Sequence, residues 1–452
     1  MKTGNSNGSN RGLWATRLGF ILAASGSAVG LGNVWKFPYI TGQNGGGAFV
    51  LVYLLCIAVV GLPIMLTEFT IGRRTGLNPV GAFRALAPGT PWVVIGFMGV
   101  LAGFLILSFY SVVGGWTLAY VIKAVTGGMS TFTSPQIAGE FFGSFISDTP
   151  QVLLFHTAFM ILTMGIVLRG IHGGIEKACD ILMPTLVVML LLLMVRSLTL
   201  DGAMEGVKFY LSPDFSKIDG SVILMAMGQA FFSLSLGMGC LITYASYLPP
   251  EENLTSATVY VVLFDTGIAL LMGMVIFPAV FAVGMEPTEG PSLVFSVLPT
   301  VFTQMPFGFV VSIVFFILLA IAALTSAISL MEAVAAFFID QFGWERKKAV
   351  WVMGATIYLF GIPSGLSFGL LADVKFFDKT FFDVVDNIAS NYLLPLGGML
   401  TAIFVGWWWG TDNAHKEIER HETTFRWAKA WEFLIKFVSP IAVFLVFLGH
   451  FF

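Results

Sequence analysis

The sequence predicts an all-α integral membrane protein with eleven transmembrane helices. Of its 452 residues, 57% are hydrophobic and 11% are charged, whereas an ordinary soluble domain has about 25% charged residues. The apolar residues form eleven runs, and about 20 apolar residues are enough for a helix to cross a bilayer. The first and the sixth run are each interrupted by a glycine-rich stretch. The net charge of -3 gives no indication of nucleic-acid binding.

The apolar runs follow a polar N-terminal segment, residues 1–10, which we expect to be flexible. This segment lacks the apolar core and the cleavage site of a secretory signal. Spans 1 to 11 are predicted at residues 16–40, 47–70, 91–123, 151–168, 177–198, 220–247, 256–284, 308–340, 348–369, 382–409 and 431–451.

Basic residues predict the orientation of these spans. Arginines and lysines concentrate at the N-terminus and in every second loop, for example at Arg73, Arg74, Arg346, Lys347 and Lys348. Because cytoplasmic loops carry an excess of such residues, we expect the N-terminus to be cytoplasmic. An odd number of spans then makes the C-terminus extracellular.

The two interrupted spans occupy corresponding positions in two halves of five helices each. Span 1 is broken by SAVGLGN, residues 27–33, and span 6 is broken by SLSLGMG, residues 233–239. Because five is odd, the second half enters the membrane from the opposite side, which is typical of transporters built from inverted repeats. The predicted parts are a first repeat at 11–198, an inverted repeat at 220–410, a cytoplasmic linker at 411–430 and an eleventh helix at 431–452.

The breaks themselves indicate a binding site. Hydrocarbon offers no hydrogen-bond partner, so an unwound segment is stable only where protein, water or a ligand provides one. Freed carbonyl oxygens suit a small hard cation, and freed amides at the start of a half-helix suit an anionic group such as a carboxylate. The alternative is that the glycines only allow close helix packing.

Several polar residues lie inside apolar spans, where such groups are costly and are often functional. We expect a functional role for Asp265 and for the hydroxyls of Thr325 and Ser326, although hydroxyls also bond within their own helix. Glu68 is predicted to be structural, paired with the backbone or with Arg73.

Three stretches resemble the neurotransmitter:sodium symporter family. The opening of the family is resembled by WATRLGFILAASGSAVGLGNVWKFPY with NGGGAF. The sixth helix of the family is resembled by GQAFFSLSLGMGCLITYASY, and the eighth by ALTSAISL. The likeness covers residues 11–412. Within the family the chain is similar to bacterial multi-hydrophobic amino acid transporters with eleven helices. The resemblance therefore implies the leucine-transporter fold, with spans 1 and 6 unwound at mid-membrane, in a bacterial inner (plasma) membrane. The family usually has a twelfth helix, so its dimer contacts are in doubt and we expect a monomer or a weak dimer in the lipid bilayer.

The resemblance implies two co-transported sodium ions and no organic cofactor. The first ion would lie between spans 1, 6 and 7, bound by Ala28, Asn33, Ser233, Asp265 and the substrate carboxylate. The second ion would bridge spans 1 and 8, bound by Gly26, Val29, Ala322, Thr325 and Ser326.

The resemblance also implies a substrate site between these ions. Its residues would be Ser27, Ala28, Gly30, Leu31, Gly32, Ile106, Tyr110, Phe232, Ser233, Ser235, Met238, Ser326, Ser329 and Leu330. Monoamine carriers of the family have Asp at the position of Gly30, so a glycine there favours a substrate that brings its own carboxylate. Since most of the lining is apolar, we expect hydrophobic L-amino acids, both aliphatic and aromatic.

Two gates are implied as well. On the outside, Lys36 would pair with Asp386, with Phe232 as an aromatic lid. We expect this ion pair to be loose, because Lys lacks the bidentate fork of Arg. Inside, Arg11 would face Asp340 beside Trp14 and Tyr247.

The start of span 5 is predicted to unwind during transport. Gly174 and Pro184 bracket this segment, and both residue types weaken a helix. In relatives the unwinding lets water reach the second sodium.

Together these expectations describe a sodium-coupled symporter that imports hydrophobic L-amino acids by alternating access. Asp265 would supply negative charge where chloride-dependent relatives have a neutral residue, so we expect chloride independence, and its protonation would allow proton counter-transport. A proton-coupled transporter of the same fold and a membrane amino-acid sensor remain alternatives. We expect no enzymatic activity, because the sequence has no nucleophile–base pair or metal cluster.

Overall fold

The structure is a computed structural model that describes residues 12–285, 293–420 and 424–449, and most of these residues lie in helices. In this part of the chain nine continuous helices are long and apolar enough to cross a membrane: Gly47–Thr75, Val93–Val125, Thr149–Val167, Ile171–Leu198, Leu254–Ala282, Gly308–Phe342, Arg346–Leu366, Phe381–Trp408 and Ala428–Gly449. They correspond to predicted spans 2 to 5 and 7 to 11. Shorter helices between them include Pro79–Leu86, Pro135–Ser147, Ala203–Leu211, Leu293–Thr303 and Thr411–Ile418.

The two remaining predicted spans are broken helices. Span 1 consists of Arg17–Ala28 and Gly32–Gln43, which meet at 54°. Span 6 consists of Gly220–Ser233 and Cys240–Ala245, with six residues between them outside any helix. Counting the bent pair of span 1 gives ten spans within the described ranges, so a total of eleven stays a prediction.

Backbone geometry explains why span 6 breaks where its glycines lie. Ser235, Gly237 and Gly239 have φ values of +54°, +77° and +72°, in the left-handed region that ends a right-handed helix. A Cβ atom on Gly237 would lie 2.4 Å from the Leu394 carbonyl oxygen of span 10. Glycine at 237 therefore permits both the turn and the close contact between spans 6 and 10.

Glu68 of span 2 binds this break rather than Arg73. Its Oε1 accepts a 2.8 Å hydrogen bond from the Gly237 amide. The predicted pairing with the backbone is thus present, and the alternative pairing with Arg73 was wrong. Arg73 lies one and a half turns further along span 2 and finds a different carboxylate.

The partner of Arg73 is Glu417 in the helix that follows span 10. Nε of Arg73 lies 2.8 Å from Oε1 of Glu417, and each side chain is 1% exposed. The guanidinium also donates to the carbonyl oxygens of Glu417 and Glu252. One buried cation therefore joins span 2, the loop after span 6 and the linker before span 11.

We predict that Arg73→Ala destabilises the protein far more than Arg74→Ala. Loss of one partner of a buried ion pair costs about 3–5 kcal/mol, whereas an exposed pair contributes about 0–1 kcal/mol. Arg74 lies 3.4 Å from the same Glu417 carboxylate but is 52% exposed, so it is the matched control. Thermal unfolding of the purified variants measures the difference, and equal melting temperatures would contradict the assignment.

Candidate functional site

A small cavity lies between the two breaks. About 30 Å³ is open to the centre of a water molecule, and the cavity is lined by Ser27, Ala28, Gly30, Leu31, Gly32, Ile106, Tyr110, Phe232, Ser235, Met238, Ser326, Ser329 and Leu330. Every residue predicted to contact substrate is among them except Ser233. Spans 1, 3, 6 and 8 therefore bring the predicted set together, although its binding role stays a prediction.

Part of the cavity lining is polar. The Leu31 amide at the break of span 1 donates to the Tyr110 hydroxyl at 3.2 Å. The Ser27 hydroxyl donates to Ser329 at 2.7 Å, and Ser235 donates to the Ser27 carbonyl at 2.9 Å. The apolar side chains of Ile106, Met238 and Leu330 line the same cavity.

Asn33, Ser233 and Asp265 form one buried cluster beside the cavity. The Asn33 amide donates to Oδ1 of Asp265 at 2.7 Å and to the Ser233 hydroxyl at 3.1 Å, while Ser233 donates to Oδ2 of Asp265 at 2.9 Å. The amide oxygen of Asn33 accepts from the Gly30 amide at 3.1 Å. The predicted side-chain ligands of the first sodium thus converge from spans 1, 6 and 7.

A second group of oxygens lies between spans 1 and 8. The Ser326 hydroxyl is 3.4 Å from the Gly26 carbonyl oxygen and 3.2 Å from that of Val29. The Thr325 hydroxyl is 3.5 Å from the Val29 oxygen and 3.1 Å from the Ala322 oxygen. Each of the three predicted carbonyl ligands of the second sodium therefore lies within 3.5 Å of the hydroxyl of Thr325 or Ser326, and hydroxyl and carbonyl oxygens suit a hard cation.

No group of three or more His, Cys, Asp or Glu side chains suited to a metal occurs within residues 12–285, 293–420 and 424–449. The oxygens between spans 1 and 8 are neutral, so they fit a monovalent hard cation better than a transition metal, for which thiolate and imidazole ligands are usual.

A larger space of about 230 Å³ lies next to the cavity, and Phe232 lines both. Lys36 and Asp386 line this second space. Within the described part of the chain they form no ion pair, because the Lys36 ammonium lies 4.3 Å over the Phe232 ring and Asp386 accepts from Ser390 at 2.7 Å. The Lys36–Asp386 pair was expected to be loose, and in this conformation the Lys36 ammonium makes a cation–π contact with Phe232; the gating role of the pair stays a prediction.

The inner gate is placed only in part. Arg11 lies outside the described residues, and Asp340 accepts two bonds from Asn78, at 2.9 and 2.8 Å. The Trp14 indole donates to the Tyr244 carbonyl at 2.8 Å, and its ring lies edge-on to that of Tyr247, with 6.4 Å between the centroids. Trp14 and Tyr247 are therefore together, as predicted.

Span 5 is wound through the segment predicted to open. Gly174 lies in a π-helical turn, Ile171–Glu176, and Pro184 lies inside the helix that continues it to Leu198. The unwinding is therefore absent from this conformation and stays a prediction for another one.

Comparison with known proteins decides the family. A sequence model of the sodium:neurotransmitter symporter family matches residues 11–134 and 142–452. The chain belongs to the sodium:neurotransmitter symporter family. It is 44% identical to the uncharacterized sodium-dependent transporter YhdH of Bacillus subtilis, over 96% of this chain and 97% of that one. It is 40% identical to an uncharacterized sodium-dependent transporter of Haemophilus influenzae, over 99% and 100% of the two chains.

A solved structure agrees with this assignment. The crystal structure of MhsT in complex with L-phenylalanine is 52% identical, with a TM-score of 0.90, and it covers 97% of this chain and 99% of that one. The symporter therefore has the predicted leucine-transporter fold. It is a sodium-dependent, multi-pass membrane transporter with bacterial homologues and, as predicted, not an enzyme.

Three polar residues of the symporter lie outside the predicted site; the sequence favours a structural role for Glu332, and no role is predicted for the other two. Gln229, one turn before the break of span 6, donates to the Gly32 carbonyl at 3.0 Å. Glu332 of span 8 binds Arg346 through both carboxylate oxygens, at 2.6 and 2.9 Å. Glu176 of span 5 binds the start of span 1. A carboxylate in or beside an apolar run was the available signal for the two glutamates, whereas a lone Gln carries none.

We predict that Gly237→Ala disrupts the site, whereas Gly228→Ala in the same span does not. At 237 a Cβ would collide with the Leu394 oxygen at 2.4 Å, and the left-handed backbone alone costs about 1–2 kcal/mol with a side chain. At 228 the nearest atom would be 3.9 Å away, and Ala in a helix gains about 0.5–1 kcal/mol over Gly. Thermal unfolding should show opposite signs, and two equal shifts would contradict the geometry.

Proposed function

We propose that the protein couples the inward flow of two sodium ions to the import of hydrophobic L-amino acids by alternating access. The observation that carries this proposal is the lining of the cavity between the two breaks, which combines apolar side chains with backbone and hydroxyl groups. A lining of this kind suits a zwitterion with an apolar side chain better than a charged or fully polar solute. The N-terminus would be cytoplasmic and the membrane a bacterial inner membrane.

The carboxylate of the substrate would bind near Leu31. A bound carboxylate would accept from the Tyr110 hydroxyl and from the Leu31 amide, which in this structure donates to Tyr110. A Cβ on Gly30 would lie 2.5 Å from the Ser326 hydroxyl and 2.9 Å from that of Tyr110, so no side chain fits there. Because the chain supplies no carboxylate at 30, the substrate would bring its own.

Both sodium ions would bind next to this carboxylate. The first would use the cluster of Asn33, Ser233 and Asp265 together with the substrate itself, and the second the oxygens between spans 1 and 8. Since one ion and the substrate share a ligand, their affinities should be coupled, and about 1–3 kcal/mol is typical of linked sites.

Apolar residues of the cavity would determine which substrate side chains can bind. Ile106, Phe232, Met238 and Leu330 line the cavity, and Met is flexible enough to repack around different shapes. The similar protein MhsT has been crystallised with L-phenylalanine, which supports an aromatic substrate here too.

Uptake into proteoliposomes tests the proposal. An inward sodium gradient should drive accumulation of L-leucine, L-phenylalanine and L-tryptophan, but not of L-aspartate or dopamine. Gly30→Ala should abolish uptake because it fills the space at the Tyr110 hydroxyl, whereas Gly103→Ala, whose nearest neighbours would be 3.7 Å away, should retain it. Accumulation driven equally well by a proton gradient alone would favour the proton-coupled alternative, and binding without transport would favour the sensor.

We predict that transport by the wild-type protein is the same in chloride and in gluconate. Two sodium ions bring two positive charges and a zwitterion brings none, so Asp265 supplies the fixed negative charge. Asp265→Asn should lower uptake in gluconate by about tenfold, or about 1.4 kcal/mol, with partial recovery in chloride. The exposed Glu140→Gln is the matched control. Wild-type uptake that requires chloride would contradict this role of Asp265.

A further inference from the structure

The carboxylate of Glu176 connects the start of span 5 to the start of span 1 through hydrogen bonds. Glu176 is buried, with 2% of its side chain exposed. Its Oε1 accepts from the amide and the hydroxyl of Thr16, and its Oε2 from the amide of Ala15 and from Nδ1 of His172, each at 3.0 Å. Three of these four bonds come from the segment that leads into span 1.

Thr16 is also the residue that begins the first helix of span 1. Its hydroxyl accepts from the Gly19 amide at 2.9 Å, which is the usual N-cap bond. A carboxylate at a helix N-terminus is further stabilised by the helix dipole. Glu176 therefore binds the cap of Arg17–Ala28 rather than a flexible part of the chain.

A glycine makes this contact possible. A Cβ on Gly19 would lie 2.2 Å from Oε1 of Glu176. The carboxylate thus packs directly on the backbone of span 1, and any side chain at 19 would displace it.

The same two helices touch again seven residues later on each, at Gly26 and Met183. A Cβ on Gly26 would lie 3.1 Å from the Met183 sulfur. Residues seven apart lie on one face of a helix, so Glu176 and Met183 form one seam against Gly19 and Gly26. The carbonyl of Gly26 is also one of the oxygens proposed to hold the second sodium.

We propose that Glu176 is a positioning residue that couples the winding of span 5 to the closure of the N-terminal end of span 1. While span 5 is wound, Glu176 holds the cap of span 1 and Met183 packs beside the second sodium site. Both residues lie between Gly174 and Pro184, so unwinding of that segment would withdraw Glu176 and break three bonds to span 1 at once. The opening of the pathway and the release of the ion would then share one structural element. This role rests on the proposed alternating-access function.

Cys179 offers a built-in reporter for this seam. It lies three residues after Glu176 on span 5 and is 1% exposed. The reporter protein carries Cys56→Ala and Cys240→Ala, so that Cys179 is its one thiol. A charged, membrane-impermeant thiol reagent then labels Cys179 only when the seam opens.

The test compares labelling rates of Cys179 in sodium for the parent, Glu176→Gln and Gly19→Ala. The amide of Gln cannot accept the same set of bonds, and the methyl of Ala displaces an intact carboxylate, so the two variants break the seam independently. We expect both to raise the rate about tenfold or more. Gly12→Ala, whose Cβ would be 3.8 Å from its nearest neighbour, should match the parent.

A second reporter separates local opening from general loosening. A protein that keeps only Cys56, on span 2, should be labelled at the parent rate when it carries Glu176→Gln. If Glu176→Gln accelerates the labelling of Cys56 as much as that of Cys179, the proposal is overturned, because Glu176 would then act only on overall stability. Labelling of Cys179 within about twofold of the parent in both variants would overturn it as well.

This comparison does not depend on the substrate or on the sodium coupling. The ratio of variant to parent is measured in one buffer. A parent whose labelling is the same in sodium and in choline would contradict the proposed function alone.

Discussion

The structure depends on one constraint, which is that backbone groups freed inside a bilayer must find partners. At the break of span 6 the Gly237 amide finds Glu68, and at the break of span 1 the Gly30 amide finds the Asn33 side chain. The Gln229 side chain donates a hydrogen bond to the Gly32 carbonyl. In this structure the Leu31 amide donates to the Tyr110 hydroxyl, and the Val29 carbonyl accepts from Ser326. In our account a carboxylate and sodium ions bind at these same groups, so the ligands are part of what stabilises the broken helices.

The fold and the positions of both breaks could be predicted because they depend on local signals. Run length gives the spans, and glycine marks the turns at Gly237 and Gly239 where φ is positive. The residues of the cavity followed from the family resemblance, and the structure brings them together. Which charges pair with which was harder to predict. Arg73 forms its ion pair with Glu417, 344 positions away, and the Lys36 ammonium lies over the Phe232 ring instead of against Asp386. Tertiary packing and the conformational state decide such partners. Glu176 was missed because its role depends on a contact with Thr16, 160 positions away.

The chemistry of the site also bears on the rival functions. Thr325 and Ser326 offer only hydroxyls where the second ion would bind, and the other predicted ligands are carbonyls. This predicted set contains no carboxylate, histidine or lysine to carry a proton, which disfavours proton coupling there. Family membership makes the protein a sodium-dependent transporter, which leaves the number of ions and the substrate class as the questions that matter most.

The central claim is that sodium and a hydrophobic amino acid share one site between two broken helices. Equilibrium binding of L-leucine and L-tryptophan to the purified protein, in sodium and in choline at the same ionic strength, tests it most directly. The account predicts binding in sodium that is lost in choline, and a sodium affinity that rises when the amino acid is present. Binding of equal strength in both salts would contradict the shared site.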